Sequence, residues 1–237
     1  SDNEETGARA MTTEEVEQLT EDFIAAAVRA EKAGFDGVEL HGAHGYMLAQ
    51  FLSATINQRQ DQYGGSLENR GRIIRDIIDG VRARCSSDFV LGIRLSPERF
   101  DMQLGEVIEF TQTLLDDGKL DFIDMSLWDV FKERVEEAYQ GRSLLSYFTE
   151  LNRGKVALGV AGKLRTPNEI HRAMAENIDF VMLGRGAILH HNYPLLMQAD
   201  NEFEPLSNPV SKEHLRNEGL GEKFIHYMAT WKGFIAD

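Results

Sequence analysis

The chain has 237 residues, of which 42% are apolar, and its 39 acidic residues outnumber its 25 basic residues to give a net charge of −14. These values predict one globular domain with a large core, and they argue against nucleic acid as a partner because a phosphate-backbone binder needs a basic surface. The longest apolar runs are strand-sized, which predicts no membrane span, and the single cysteine excludes a disulfide framework or clustered-cysteine metal centre and favours a reducing cytoplasm.

Hydrophobic periodicity predicts strands and helices in strict alternation along the chain. The first helix is predicted over residues 11–33, with Thr12 or Thr13 as its N-cap and Glu15 or Glu17 near the capping-box position. Strands are then predicted at 35–40, 89–95, 121–126, 156–160 and 178–183. Further helices are predicted at 67–84, 104–117, 143–152, 166–177 and 186–190, with a last helical stretch at 222–231.

This alternation is typical of parallel strands joined by right-handed crossovers, as in a TIM (β/α)8-type barrel or an open doubly wound sheet. No strand is followed by a GxGxxG turn, and polar residues follow several strands, so we expect the α/β barrel. Only five of its eight strand–helix units are found. The predicted organisation is a flexible linker at 1–10, a partial barrel at 11–194 and a tail at 195–237, whose helix packs on the barrel or on a partner.

The loop after the first predicted strand gathers two histidines and a tyrosine: His41, His44 and Tyr46. Two imidazole N–H groups can hold developing negative charge on one oxygen atom, and a nearby phenol can deliver a proton. Metal binding or ordinary loop polarity would explain the same residues. We favour a functional site, because barrel enzymes place their active sites at this end of the strands.

The last two predicted strands end in Gly162 and in Gly184-Arg185. Small residues let the backbone approach a ligand closely, helix N-termini attract anions, and an arginine supplies a bidentate charge. These residues predict a phosphate site, although the two glycines could serve only as tight-turn residues.

Arg94 lies inside an apolar strand, where its charge must be paired. Either it forms a core ion pair with a strand acid such as Glu39 or Asp124, or it faces a polar ligand at the barrel mouth. Trp128, Trp231 and Phe100 could line a pocket, but aromatic residues are more often part of the core.

Together these residues resemble the Old Yellow Enzyme family of FMN-dependent ene-reductases, over about residues 11–193. Its most specific segments are His41-Gly-Ala-His44-Gly-Tyr46, Gln50-Phe-Leu, Asn57-Gln-Arg59, Asp61-Gln-Tyr63-Gly64-Gly65-Ser66-Leu-Glu68-Asn69-Arg70, Arg94-Leu-Ser96-Pro97 and Gly184-Arg185. We expect residues 63–70 to be structural.

The resemblance implies a flavoprotein oxidoreductase that reduces the C=C bond of α,β-unsaturated carbonyl compounds with NADH or NADPH. His41 and His44 are implied to bind the carbonyl oxygen of the enone substrate, and Tyr46 to give a proton to its α-carbon. The residues implied in FMN binding are Arg94 at the pyrimidine edge and Gly162, Gly184 and Arg185 at the phosphate. We expect no metal site.

Full members of the family carry three strands ahead of the segment that begins here. The chain is therefore expected to be a fragment that forms a homo-oligomer or associates with the missing N-terminal segment. Lys163 also departs from the family, which usually has an apolar residue there. Two alternatives stay open: an inactive barrel fragment with a structural or binding role, and a different phosphate-binding barrel enzyme such as an aldolase or isomerase.

Overall fold

The computed structural model describes residues 7–132 and 141–236. Within them, one sheet of parallel strands runs in the order β1-β2-β3-β4-β5, so that each strand pairs with its neighbour in sequence. The strands are Gly37–Gly42 (β1), Val90–Leu95 (β2), Phe122–Ser126 (β3), Ala157–Ala161 (β4) and Phe180–Met182 (β5). This order confirms the predicted parallel α/β alternation. The linker residues 1–6 lie outside the described residues.

The helices that alternate with these strands lie mostly where periodicity predicts them. They are Thr13–Lys32 (α1), Met47–Leu52 (α2), Leu67–Arg84 (α3), Leu104–Asp117 (α4), Ser146–Thr149 (α5), Pro167–Met174 (α6), Arg185–Leu189 (α7), Tyr193–Ala199 (α8), Lys212–Asn217 (α9) and Glu222–Met228 (α10). The predicted bounds of α3 and α4 are confirmed, and α1 has the capping box of Thr12 and Glu15. None of the helices in the described ranges has the length and apolar content to cross a membrane.

Three helices were not predicted, and the helices predicted at 143–152, 166–177 and 222–231 were too long. The segments of α2, α8 and α9 have six or seven residues each, too few for a clear helical period. The helix predicted at 143–152 is a single turn at α5. Such short helices depend on the tertiary contacts around them rather than on local sequence.

The two faces of the sheet differ in character. One face carries buried aliphatic residues such as Leu40, Ile93 and Val160, which pack in the main hydrophobic core with α1, α3 and α4. On the other, concave face, Gly159 leaves room for the ring of Phe180, because a Cβ at Gly159 would lie 2.1 Å from that ring. The helices therefore cover one side of the sheet, as they do in a barrel wall.

The five-stranded sheet does not close on itself. Among the described residues, no further strand pairs with the outer edge of β1 or of β5. A closed barrel has no such edges. The described residues thus form a partial barrel with two free edges.

Residues after the partial barrel pack against it. A small hydrophobic cluster joins Leu189 at the end of α7 to Leu215 of α9 and Ile225 of α10, among others. Val210 and Ile235 form an isolated parallel bridge that closes this unit. Residues 195–236, called the chain end below, are therefore anchored beside β5 through α7.

The loop between α2 and α3 contains most of the signature motif and has a structural role. Asn57 donates two hydrogen bonds of 2.7 Å to backbone oxygens, and Arg59 pairs with Asp61 while donating to the Met11 oxygen. A Cβ at Gly64 would lie 2.1 Å from the Arg59 carbonyl oxygen. Only glycine fits there, because the Arg59 backbone is held in place.

We expect Gly64→Ala to lower the free energy of unfolding by about 1–3 kcal/mol, the usual cost of overpacking a tight site. Urea unfolding followed by circular dichroism measures the change. Gly186→Ala is the matched control, because Gly186 lies inside α7 and a Cβ there makes only an ordinary contact, 3.6 Å from the Tyr193 ring. Equal unfolding midpoints for the two variants would contradict this explanation of the motif.

Candidate functional site

The histidine loop lies at the carboxyl end of β1 and is held by the two neighbouring strands. The backbone N–H of His44 donates to Ser96 Oγ at 3.0 Å, and its ring Nε2 lies 2.7 Å from Ser126 Oγ. The rings of His41 and His44 are 5.0 Å apart, and those of His41 and Tyr46 are 5.4 Å apart. The structure therefore brings together the three residues that the sequence proposes for catalysis.

The surroundings of His41 and His44 favour the neutral form of both imidazoles. Burial lowers the pKa of His41 and the charge of Arg94 lowers it further. Burial also lowers the pKa of His44, helped by His41 and Arg94. At neutral pH each imidazole therefore offers one N–H donor without a positive charge.

Arg94 lies on β2 below this loop. Of the two alternatives that the sequence leaves open, it forms the ion pair with strand acids. Its guanidinium contacts Asp124 Oδ2 at 2.5 Å and Glu39 Oε1 at 3.3 Å. Asp124 is fully buried, and its Oδ1 has no hydrogen-bond partner among the described residues. Burial raises the pKa of both carboxyl groups, and Arg94 opposes that rise.

A cavity of about 770 Å³ opens at the carboxyl ends of β3, β4 and β5. Four of the proposed site residues line it: His44, Gly162, Gly184 and Arg185. His41 and Tyr46 adjoin it beside His44, whereas Arg94 is held by its two carboxylates and is not part of the lining. One cavity therefore connects the histidine loop to the predicted phosphate site.

Gly162 forms a close backbone cradle in this cavity. Its φ is +155°, and a Cβ there would lie 2.8 Å from the Asp129 backbone nitrogen. Lys163, which follows it, pairs with Asp129 at 3.1 Å. The glycine, the neighbouring cations and the cavity volume fit a phosphate-bearing cofactor such as FMN.

The family model described as the NADH:flavin oxidoreductase / NADH oxidase family matches residues 1–202. The chain belongs to this family. The resemblance to the Old Yellow Enzyme family is thereby confirmed, and the family is one of enzymes. Its members are flavin oxidoreductases, which favours that class over an aldolase or isomerase.

Similar proteins agree with this assignment. A probable NADH-dependent flavin oxidoreductase, YqiG of Bacillus subtilis (strain 168), is 36% identical over 208 residues, covering 85% of this chain and 56% of its own length. A putative 12-oxophytodienoate reductase 4 of Oryza sativa subsp. japonica is 54% identical over 89 residues, covering 38% of this chain and 23% of its own length. The chain thus spans little more than half of the curated relative that it matches over 208 residues.

Two solved structures share the architecture of this family member. The old yellow enzyme homologue from Zymomonas mobilis superposes with a TM-score of 0.71 at 26% identity, covering 88% of this chain and 57% of its own. Morphinone reductase in complex with tetrahydroNAD gives 0.67 at 27% identity, covering 90% and 58%. The predicted partial barrel is confirmed.

Sequence reasoning missed several lining residues of the cavity. For Trp128 and Trp231 the less favoured, pocket-lining alternative holds, since both line the cavity and are 50% and 38% exposed. Lys232 and Phe234 also line it, although they lie far along the chain from the strands. No local pattern places them there, because their position depends on how the chain end folds back over β5.

The burial of Asp124 predicts a pH-dependent stability difference. Burial raises the pKa of Asp124 in the folded chain, so its protonated form stabilises the fold relative to the unfolded chain. That contribution is lost as the pH rises through the folded pKa. We expect Asp124→Asn, which cannot ionise, to gain stability relative to the unaltered chain as the pH rises above about 3.9, the ordinary value of an aspartate. Urea unfolding from pH 3 to pH 7 measures this, with the exposed Asp88→Asn as control. A difference that moves against Asp124→Asn with rising pH would contradict it.

Proposed function

We propose that this chain carries the carbonyl-binding and phosphate-binding parts of an FMN-dependent ene-reductase that uses NADH or NADPH. The observation that carries the proposal is the single cavity that joins His44 to Gly162 and Arg185. A ligand with a phosphate at one end and a reactive ring at the other matches this arrangement. Because the chain spans about half of its relatives, the activity of the whole enzyme is part of the proposal.

The phosphate end of the cavity suits FMN. Arg185 offers a planar, bidentate guanidinium, and Gly162 lets the backbone come close to a ligand. Arg94 pairs with Asp124 and Glu39 but keeps 20% of its side chain exposed, and that exposed part is proposed to contact the pyrimidine edge of the flavin. A bound flavin would supply the hydride chemistry.

The histidine end suits a carbonyl oxygen. His41 and His44 are half-buried neighbours whose lowered pKa values keep them neutral, so each can donate one N–H to the same oxygen. The hydroxyl of Ser126 contacts His44 Nε2, and Nδ1–H is then the donor left to the ring if Nε2 accepts from that hydroxyl. The pair would polarise the carbonyl and stabilise negative charge on its oxygen.

Tyr46 is proposed as the proton donor to the substrate α-carbon. Its ring lies 5.4 Å from that of His41, and it is 62% exposed at the beginning of α2. The names of two relatives, a 12-oxophytodienoate reductase and a morphinone reductase, denote reductases of oxo compounds. Those names support an enone substrate for this chain.

The free edges of β1 and β5 support a further part of the proposal: another chain or segment covers them in the working molecule. Unpaired edges of a buried parallel sheet recruit further strands. Light scattering on the purified chain tests this, and a monodisperse monomer would oppose it.

Arg185→Ala should weaken FMN binding more than Arg94→Ala does. The phosphate is a dianion, and a charge-assisted hydrogen bond contributes about 1.5–3 kcal/mol, which is roughly a tenfold to hundredfold change in Kd. Quenching of FMN fluorescence on titration with the protein measures each Kd. The exposed Arg29→Ala on α1 is the matched control. Equal losses for Arg185→Ala and Arg29→Ala would refute the phosphate assignment.

Tyr46→Phe should slow enone reduction by about 10²–10⁴-fold, the usual contribution of one acid–base group. Reduction of the flavin by NADH or NADPH should be unchanged, because it needs no proton from the phenol. Stopped-flow absorbance separates the two half-reactions in the FMN-loaded protein. Tyr227→Phe, at an exposed tyrosine of α10, is the control. An equal loss in both half-reactions would show that Tyr46 is not the proton donor.

A further inference from the structure

The chain end supplies one wall of the cavity. After α10 the chain turns back, with the Phe234 N–H donating to the Trp231 oxygen at 3.0 Å. The rings of Trp231 and Phe234 are 5.5 Å apart, and Phe234 is buried. Lys232 lies between these two anchored aromatic residues and lines the same cavity as Gly162 and Arg185.

The cavity is strongly cationic in an otherwise acidic chain. Its lining includes Lys163, Arg165, Arg185 and Lys232, and none of the lining residues in the described ranges is acidic. Of these four cations, only Lys163 has an ion pair with a described residue, Asp129. The chain as a whole has a net charge of −14. Such a concentration of positive charge indicates a polyanionic ligand group.

Lys232 and Arg185 belong to one connected unit. Helix α7 begins at Arg185 in the cavity and ends at Leu189, which belongs to the small hydrophobic cluster of the chain end. His214 Nε2 lies 2.8 Å from the Leu189 oxygen, which fastens α9 to α7. The Val210 N–H donates to the Phe234 oxygen at 3.1 Å, which holds the segment that carries Lys232. A ligand that binds both cations would therefore also fix the chain end over β5.

We propose that Lys232 is a phosphate-binding residue, and that occupancy of the phosphate site holds the chain end closed over the cavity. The ligand group is a phosphate monoester dianion, which Arg185 binds from the barrel side and Lys232 from the chain end. This inference rests on the proposed function for the identity of the ester as FMN. The phosphate site itself rests on the cavity and its cations alone.

The first experiment compares FMN with riboflavin, which lacks the phosphate. Lys232→Ala should raise the Kd for FMN about tenfold and leave riboflavin binding unchanged, because only the phosphate contact is lost. Lys232→Arg should restore most of the affinity. Lys223→Ala is the matched control, since Lys223 lies exposed on α10 in the same chain end and does not line the cavity.

The second experiment follows tryptic cleavage after Lys232 by mass spectrometry, with cleavage after Lys223 as the internal reference. FMN, and inorganic phosphate at higher concentration, should slow cleavage after Lys232 relative to Lys223. Phosphate protection without FMN binding would support the phosphate role of Lys232 and refute the proposed flavin function. Equal effects of Lys232→Ala and Lys223→Ala on FMN affinity, or no protection by either ligand, would overturn the inference.

Discussion

A single row of residues crosses the sheet in register and determines the character of the site. His41 pairs with Arg94, Arg94 with Asp124, Asp124 with Gly159, and Gly159 with Phe180. Residues that pair directly across a parallel sheet point to the same side, so these side chains share the concave face. The residues one position before and after them on each strand face the helices. The row is polar toward β1 and aromatic toward β5. Its polar half is possible only because Arg94 compensates two carboxylates whose burial would otherwise be costly.

This charge balance also shapes the histidine loop one step further along the strands. Arg94 lowers the pKa of both His41 and His44, so the cation that stabilises Asp124 also helps to keep the imidazoles neutral. Ser126, two residues beyond Asp124 on β3, then contacts the ring of His44. The loop is thus connected to β2 and β3 by electrostatics and by hydrogen bonds. Its conformation depends on neighbouring strands that are distant in sequence.

The sequence predicts what depends on local pattern. The bounds of α3 and α4 follow from helical periodicity, and the polar residues at strand ends follow from the alternation of elements. The pairing of Arg94 could not be decided, because Glu39 and Asp124 lie 55 and 30 residues away from it, and only the register shows that both contact it. Lys232 belongs to no sequence motif that would indicate a binding role. Its place in the cavity follows from packing around Leu189, which no local pattern encodes.

The two ends of the cavity differ in charge in a way that matches an asymmetric ligand. At the histidine end, Arg94 is balanced by carboxylates and the imidazoles are neutral, so the donors there can bind an uncharged carbonyl without a large desolvation cost. At the other end, Arg165, Arg185 and Lys232 concentrate positive charge where a dianion needs it. The net charge of −14 opposes non-specific anion binding, because the long-range field of the chain is negative. Selectivity for a phosphate therefore depends on short-range, charge-assisted contacts with these exposed cations.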